Sequence, residues 1–277
     1  MSGKLYLVAT PIGNLGDITY RAVEVLKTVD VIAAEDTRHS LKLLNYLNIS
    51  KPLISYHRHN EDIKTDYLIK KIIDGEDIAI ITDAGTPGIC DPGEEIVKQA
   101  IKNNINIIPI PGACALINAL IISGINTKEF IFYGFLPTNK KLRKNKIDEI
   151  KKDKKTIIIY EAPHNISDTL KELSVEIGDI QIALVKELTK IHEQIFRGKI
   201  SEIIPQLDNI KGELIIIMEG NKNIKEDISQ EFLNNLSLEE HYKYYENQGC
   251  DKKEIIKKIA KDRNVNKNEI YIKFIKK

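Results

Sequence analysis

Short, continuous runs of β-branched apolar residues, each followed by a helix-like stretch, narrow the possible folds of this chain more than any other feature. Strands are expected at Leu5–Ala9, Val31–Ala34, Leu53–Ser55, Ile78–Thr82, Ile105–Ile110 and Phe130–Phe135. Helical patterns lie near Thr19–Thr28, Thr37–Leu47, Glu61–Ile73, Pro92–Lys102 and Ala113–Ile122. Strands that are apolar throughout, not only at alternate residues, are buried on both faces. The pattern therefore specifies an α/β fold with a parallel-rich sheet. A second series follows, with strands at Thr156–Tyr160, Ile182–Glu187, Gln194–Arg197 and Leu214–Glu219, and helices near Asn165–Ser174 and Ser201–Leu207. The direct passage from one strand at 182–187 to the next at 194–197 is that of a hairpin, so this half is a mixed sheet. The expected organisation is an N-terminal α/β domain over 1–111, a second α/β domain over 112–222 and a small basic helical module over 231–277. Pro111–Gly112 marks the first boundary, and a polar linker over 221–235 marks the second.

Composition excludes several classes. With 277 residues, 42% apolar and 29% charged, the chain can bury a core and is not of the disordered type. No apolar run approaches the length of a membrane span. Cys90, Cys114 and Cys250 form no CxxC pair, so neither a disulfide framework nor a zinc knuckle is signalled. A cytoplasmic protein is expected. The net charge of +1 hides two basic regions: nine Lys/Arg against three acids over Lys140–Lys155, and ten against four over Asp251–Lys277. Each is net +6, which suits a polyanionic partner or a solvated helix face. In the tail, Asp251-Lys-Lys-Glu254 and Asn266-Lys-Asn-Glu269 have capping-box spacing on either side of a turn-like segment, a helix-turn-helix-like pattern.

The chemistry-bearing segments cluster at strand ends. Thr10-Pro11-Ile12-Gly13-Asn14-Leu15-Gly16, Asp83-Ala84-Gly85-Thr86-Pro87-Gly88-Ile89-Cys90-Asp91-Pro92-Gly93 and Pro111-Gly112-Ala113-Cys114-Ala115 each follow a strand and bring the backbone close to any ligand held there. The first is not GxGxxG, so it gives no specific support for a nicotinamide fold. Glu35-Asp36-Thr37-Arg38-His39-Ser40 packs four ionisable residues at another strand end: Glu35 or Asp36 can act as acid or base, Asp36 can instead cap the next helix, and Arg38 can pair with phosphate. His57 and His59 share a face only if extended, and no third ligand accompanies them, so no metal is expected. Contact with RNA through His59 or Arg58 is the alternative, with Asn60 capping the next helix. Tyr160-Glu161-Ala162-Pro163-His164-Asn165 and Lys186-Glu187-Leu188-Thr189-Lys190 end strands in the second half. No GxSxG elbow or Ser/His/Asp order appears, which argues against covalent hydrolysis.

Taken in order, LYLVATPIGNLGDIT, AAEDTRHS, YHRHNE, TDAGTPGICDPG, PGACA, YEAPH and KELTKIHE resemble the family of ribosomal RNA small-subunit methyltransferases I, within the tetrapyrrole-methylase superfamily. The likeness runs over roughly residues 4–220, and the tail resembles that family's helical module. It implies a two-domain fold with S-adenosyl-L-methionine in the cleft, a homodimer, and 2′-O-methylation of a cytidine ribose in 16S rRNA or the 30S subunit. It places Thr10, Pro11, Gly13, Thr86, Pro87, Ile89, Cys114, Ala115, Leu188, Glu213 and Leu214 beside the cofactor. Ala113 stands where Pro is expected. Asn165 and Lys186 stand where Arg is common, which removes planar guanidinium forks at those positions. On this reading Glu35, Asp36 or Glu161 accepts the hydroxyl proton, and Arg38, His59 or Lys190 contacts RNA. Two other functions remain open: methylation of a small tetrapyrrole on the same fold, and a non-enzymatic ribosome-assembly module that binds RNA.

Overall fold

Five strands whose side chains are apolar on both faces make the first sheet: β1 (Lys4–Val8), β2 (Val31–Ala34), β3 (Leu53–Ser55), β4 (Ile78–Ile81) and β5 (Asn106–Ile110). All are parallel, in the order β3-β2-β4-β1-β5. The crossovers are α1 (Tyr20–Thr28), α2 (Thr37–Tyr46), α3 (Glu61–Ile73) and α4 (Glu94–Lys102). One face of the sheet packs Leu5, Ala33, Ile78 and Ile80 with Leu68, Ile72 and Ile96, and the other packs Val8, Ile32, Ala79 and Ile81 with Leu26 and Leu44. Burial on both faces is why the central strands β2 and β4 read as unbroken apolar runs. Because every strand points the same way, all five C-terminal ends reach one edge.

The second sheet follows α5 (Ala115–Ser123) and comprises β6 (Phe130–Phe135), β7 (Thr156–Glu161), β8 (Gln181–Lys186), β9 (Gln194–Lys199) and β10 (Leu214–Met218). Its order is β6-β7-β10-β8-β9. Only β6 and β7 are parallel; the remaining pairs, including the β8–β9 hairpin, are antiparallel. The mixed sheet expected from the sequence is the one observed. On one face, Ile157, Ile159 and Ile216 meet Ile150 of α6 (Lys140–Ile150), Leu170 of α7 (Ile166–Ile177) and Ile203 of α8 (Ile200–Ile203). The opposite face, with Ile158, Val185, Ile215 and Ile217, packs Leu116, Ala119 and Leu120 of α5.

The structure, a computed structural model, describes residues 2–221, 233 and 235–275. The chain divides into two units, Met1–Lys222 and Asn223–Lys277, with both sheets in the first. The linker expected over 221–235 falls almost wholly outside the described residues. Among the described residues, no helix is long and apolar enough to cross a membrane.

One local expectation needs correcting. Asn60 occupies the N-cap position of α3 but makes no side-chain cap bond. Its Oδ1 accepts from His57 N–H at 2.9 Å, and its Nδ2 donates to the Ser55 carbonyl at 3.2 Å, so it closes the β3–α3 turn instead. The basic run Lys140–Lys155 is partly neutralised. Arg143 pairs with Glu172, Lys146 with Glu149, Lys151 with Glu176 and Lys155 with Glu129. Lys140, Lys141 and Lys144, at the start of α6, pair with no acid among the described residues.

The second unit contains α9 (Leu238–Glu246), α10 (Lys252–Asp262) and α11 (Lys267–Ile275). Asp251 caps α10 through Lys253 and Glu254 N–H, while a reciprocal capping box forms at Ser237–Glu240. Ile255, Ile256, Ile259 and Ile270 form its core. His241 is fully buried. Its Nδ1 lies 3.2 Å from Arg263 Nε, which can only donate, so the ring is neutral with its proton on Nε2, 3.2 Å from Asp262 Oδ2. Tyr245 donates to the same Asp262 oxygen at 2.6 Å. Burial pushes the His241 pKa down, with the Arg263 charge helping and Asp262 opposing. A depressed value means that this stabilisation is complete above the unfolded value of about 6.5. It is lost as pH falls through the lower folded value. Acidification from pH about 7.5 to about 5 is therefore expected to lower the amide protection factors, corrected for the intrinsic pH dependence of exchange, in α9 and α10 of the full chain. The change should be absent in His241→Gln; equal protection factors at both pH values in the unmodified chain would refute it.

Candidate active site

The loop after β4 is the hub of the first sheet's C-terminal edge. Thr10 N–H donates to the Gly85 carbonyl at 2.9 Å, and Gly85 N–H donates back to Thr10 at 3.1 Å. The buried Thr10 hydroxyl donates to the Thr82 carbonyl at 3.2 Å. Thr86 Oγ1 donates to the Ala113 carbonyl at 3.0 Å, which ties in the loop after β5. Asp36 N–H donates to Asp83 Oδ1 at 3.1 Å, Arg58 donates to the Cys90 carbonyl, and Gly93 N–H donates to Glu61 Oε1 at 3.1 Å. Gly85 has φ +84°, which an L side chain would resist.

A cavity of about 500 Å³ opens against this hub, within the first unit. One wall is Ile12, Glu35, residues 83–86 and 89–91, the other is Phe135 with residues 160–163 and 212–215, and Cys114 and Ala115 lie between them. A small apolar recess of Ile12, Ala115, Val185, Leu188, Glu213 and Ile215 shares four of these residues. Glu187 and Thr189, on either side of Leu188, have φ of +50° and +65°, and such outliers gather at ligand sites. Thr189 Oγ1 is buried without a hydrogen-bond partner among the described residues. A Cβ on Gly13 would stand 3.0 Å from that hydroxyl and 2.4 Å from Lys190 Cγ, so glycine allows the first loop to close on this recess.

The end lined by Glu35 is acidic. Burial pushes the Glu35 pKa up and the Asp83 charge adds to this, while Asp83 N–H, Arg58 and His57 oppose. Asp91 is pushed up to about 6, first by burial, then by the Glu35 charge, against Arg58. Three carboxylates (Glu35, Asp83 and Asp91) therefore face one guanidinium. Such a site favours a cationic ligand and holds carboxyls able to take a proton near neutral pH.

The residues singled out in the sequence divide into groups. Thr86, Ile89, Cys114, Ala115, Glu213 and Leu214 line the cavity and Leu188 lines the recess, as do Glu35 and Glu161 the cavity. Thr10, Pro11, Gly13 and Pro87 do not line it; Thr10 and Gly13 act through loop closure. Asp36 also lies outside. It caps α2, accepts from Arg38 N–H at 2.8 Å and pairs with Arg38 NH2 at 2.9 Å, and the Arg38 bonds hold its carboxyl down to about 2. Glu161 is buried, and both oxygens are engaged, by Ala162 N–H at 2.8 Å and the Thr169 hydroxyl at 2.6 Å. Lys190 lies 2.9 Å from Glu187 and 3.2 Å from Glu213. Arg38 and His59 are exposed. Among the described residues, no cluster of His, Cys, Asp and Glu could hold a metal. Sequence reasoning passed over Ile12, Asp83, Cys90, Asp91, Phe135, Tyr160 and Ile215. The acids were open to discovery, since both fall within the glycine-rich loop already marked.

Similar proteins agree with this architecture. Residues 4–204 match the model of the Tetrapyrrole (Corrin/Porphyrin) Methylases. The chain is 46% identical over 271 residues to ribosomal RNA small subunit methyltransferase I of Bacillus subtilis, covering 97% of this chain and 93% of that protein. It is 50% identical over 221 residues to the protein of the same name from Synechocystis, covering 79% of each. Among solved structures, diphthine synthase superimposes with a TM-score of 0.64 at 11% identity, over 78% of this chain and 90% of that one. A uroporphyrin-III C-methyltransferase from Thermus thermophilus, complexed with S-adenyl homocysteine, gives 0.56 at 16%, over 78% and 97%. Those two likenesses concern the fold, but a family match over residues 4–204, joined to relatives at 46–50% identity over 79% or more of this chain, means that it belongs to the tetrapyrrole methylase family and, within it, to the ribosomal RNA small subunit methyltransferases I.

Proposed function

We propose that this protein is an S-adenosyl-L-methionine-dependent methyltransferase of small-subunit ribosomal RNA, acting on the ribose 2′-hydroxyl of a cytidine. The observation that carries the reading is the cavity itself, in which an apolar recess leads to a cluster of three carboxylates. The cofactor has an adenine that can lie in the cavity against the recess, and cationic groups for the acids. About 500 Å³ lies within the range of small-molecule sites. The residues present therefore fit the group. Leu188, Ile12, Ala115 and Ile215 would hold the adenine, and Thr86, Ile89 and Cys114 would flank the methionine portion.

When bound, S-adenosylmethionine supplies an activated methyl carbon on a positively charged sulfur. The protein's work is then alignment and proton removal. Asp91, supported by Glu35, takes the proton as the ribose oxygen gains the methyl. Asp36, already paired with Arg38, is a poor base, and Glu161 has both oxygens committed to the fold. Arg38 and His59, exposed on the same sheet edge, meet RNA phosphate. Two copies pair in solution, a reading supported by Ile117 and Ile121, which expose an apolar stripe on α5.

The test is incubation with labelled cofactor and either unmethylated 30S subunits, 16S rRNA or uroporphyrinogen, with mass mapping of the product. Label on a cytidine 2′-oxygen is expected, along with a light-scattering mass about twice the 31.5 kDa chain. Label only on the porphyrinogen would sink the RNA reading, and no label on any substrate would sink the enzymatic one.

A further inference from the structure

We infer that Phe135 is the stacking platform for the nucleobase of the nucleotide being methylated. The inference rests on the function proposed above and names a recognition residue within it. Its basis is a register break in β6. Phe132 pairs with Ile158, but the next pairs are Gly134 with Ile159 and Phe135 with Tyr160, so Tyr133 is the extra residue of a β-bulge. Side chains alternate between the faces of a sheet, and a one-residue slip reverses them. Without the bulge, Phe135 would share the face of Ile157 and Ile159, which is filled by α6 and α7. With it, Phe135 shares the face of Phe132 and Tyr160 and lines the cavity.

The bulge is held from both sides. Tyr133 packs on the opposite core and its hydroxyl donates to Asp153. Gly134 has φ +64°, and a Cβ there would come within 3.0 Å of Cys90 Sγ. The Phe135 ring rests edge-on against Tyr160, with centroids 5.5 Å apart and planes at 65°, yet the residue is 60% exposed. A large aromatic fixed on one side and open on the other, at the mouth of a cavity, is what a splayed base requires.

The adenine of the cofactor is not that base. One row of paired residues crosses the sheet from Phe135 to Tyr160, Ile215 and Val185. Val185 lines the apolar recess, three strand spacings, or about 14 Å, from Phe135. An RNA strand has further reason to pass here. Lys140, Lys141 and Lys144, which have no acidic partner among the described residues, begin five residues after Phe135, within about 17 Å of chain.

The experiment compares wild type with Phe135→Ala, Phe135→Leu and Phe135→Tyr on unmethylated 30S subunits, alongside S-adenosylhomocysteine affinity by calorimetry and mass by light scattering. Phe135→Ala is expected to lose at least about 10-fold in kcat/KM, Phe135→Leu to recover little, and Phe135→Tyr to stay within about 2-fold of wild type. Affinity for S-adenosylhomocysteine and oligomeric mass should not change in any variant. Full activity in Phe135→Ala would overturn the inference, as would a leucine variant equal to the tyrosine one. So would a parallel loss of S-adenosylhomocysteine binding, which would make Phe135 a cofactor contact, or a change of mass, which would make it an interface residue. Absence of transfer by the wild type itself would defeat the functional reading and this inference together, an outcome distinct from any loss confined to the variants.

Discussion

Methyl transfer to 30S subunits is expected to fall by at least about 100-fold in Asp91→Asn, the usual scale for losing a positioned general base. The variant keeps the shape of the loop after β4 and removes the carboxyl that burial and the Glu35 charge push up to about 6. The base must be ionised to work, so the wild-type rate should rise with pH through about 6 and level off above it. That limb should vanish in Asp91→Asn. In Glu35→Gln it should move to lower pH, because the negative neighbour that helps Asp91 retain its proton has gone. S-adenosylhomocysteine, which lacks the positive sulfur, should still bind Asp91→Asn. A rate that ignores pH between about 5 and 8, or an asparagine variant as active as wild type, would mean that the proton leaves by another route.

Removing Glu161 should be felt in stability rather than chemistry. Its carboxylate accepts from Ala162 N–H and from the Thr169 hydroxyl. That hydroxyl in turn accepts from Arg143 NH2 at 2.8 Å, while Arg143 Nε pairs with Glu172 at 2.7 Å. The chain of bonds fastens the end of β7 to α6 and α7. Glu161→Ala leaves buried donors unpaired, which costs about 3 kcal/mol and lowers the thermal transition by about 10 °C. Well below that transition, Glu161→Gln should transfer methyl within about 3-fold of the wild-type rate. A stable Glu161→Gln with a rate as depressed as that of Asp91→Asn would restore Glu161 as a proton acceptor.

What could be read directly in the chain follows the physics of burial. Val31–Ala34 appears as written, since a strand covered on both sides has no polar residues to blur it, while the partly buried Leu53–Ser55 and Phe130–Phe135 are marked by their β-branched and aromatic residues. The helix Lys140–Ile150 did not announce itself, because only Ile147 and Ile150 are buried in a lysine-rich segment. At the site, glycine and proline punctuated the strand ends and thereby located the ligand edge. They also disguised Asp91, whose neighbours read as a turn. Glu35 stood out by its company of polar residues, but the same reasoning favoured Asp36, which the fold uses to start a helix. Phe135 could not be recognised at all. Its facing depends on a bulge fixed by Tyr133, Asp153 and Cys90, partners far apart in the chain, and strand alternation alone assigns it to the wrong side.

Tethering every neighbouring turn to the segment 82–93 also restricts how the protein can diversify. A residue in that segment answers to several partners at once, so a change that tunes ligand preference there risks disturbing four other corners of the sheet. Variation between lineages should therefore be channelled to exposed positions such as Lys140, Lys141 and Lys144 at the start of α6, which can be altered with little effect on the rest. The tethered segment would stay constant over long evolutionary spans while those positions drift, which is how one scaffold comes to serve unrelated acceptors.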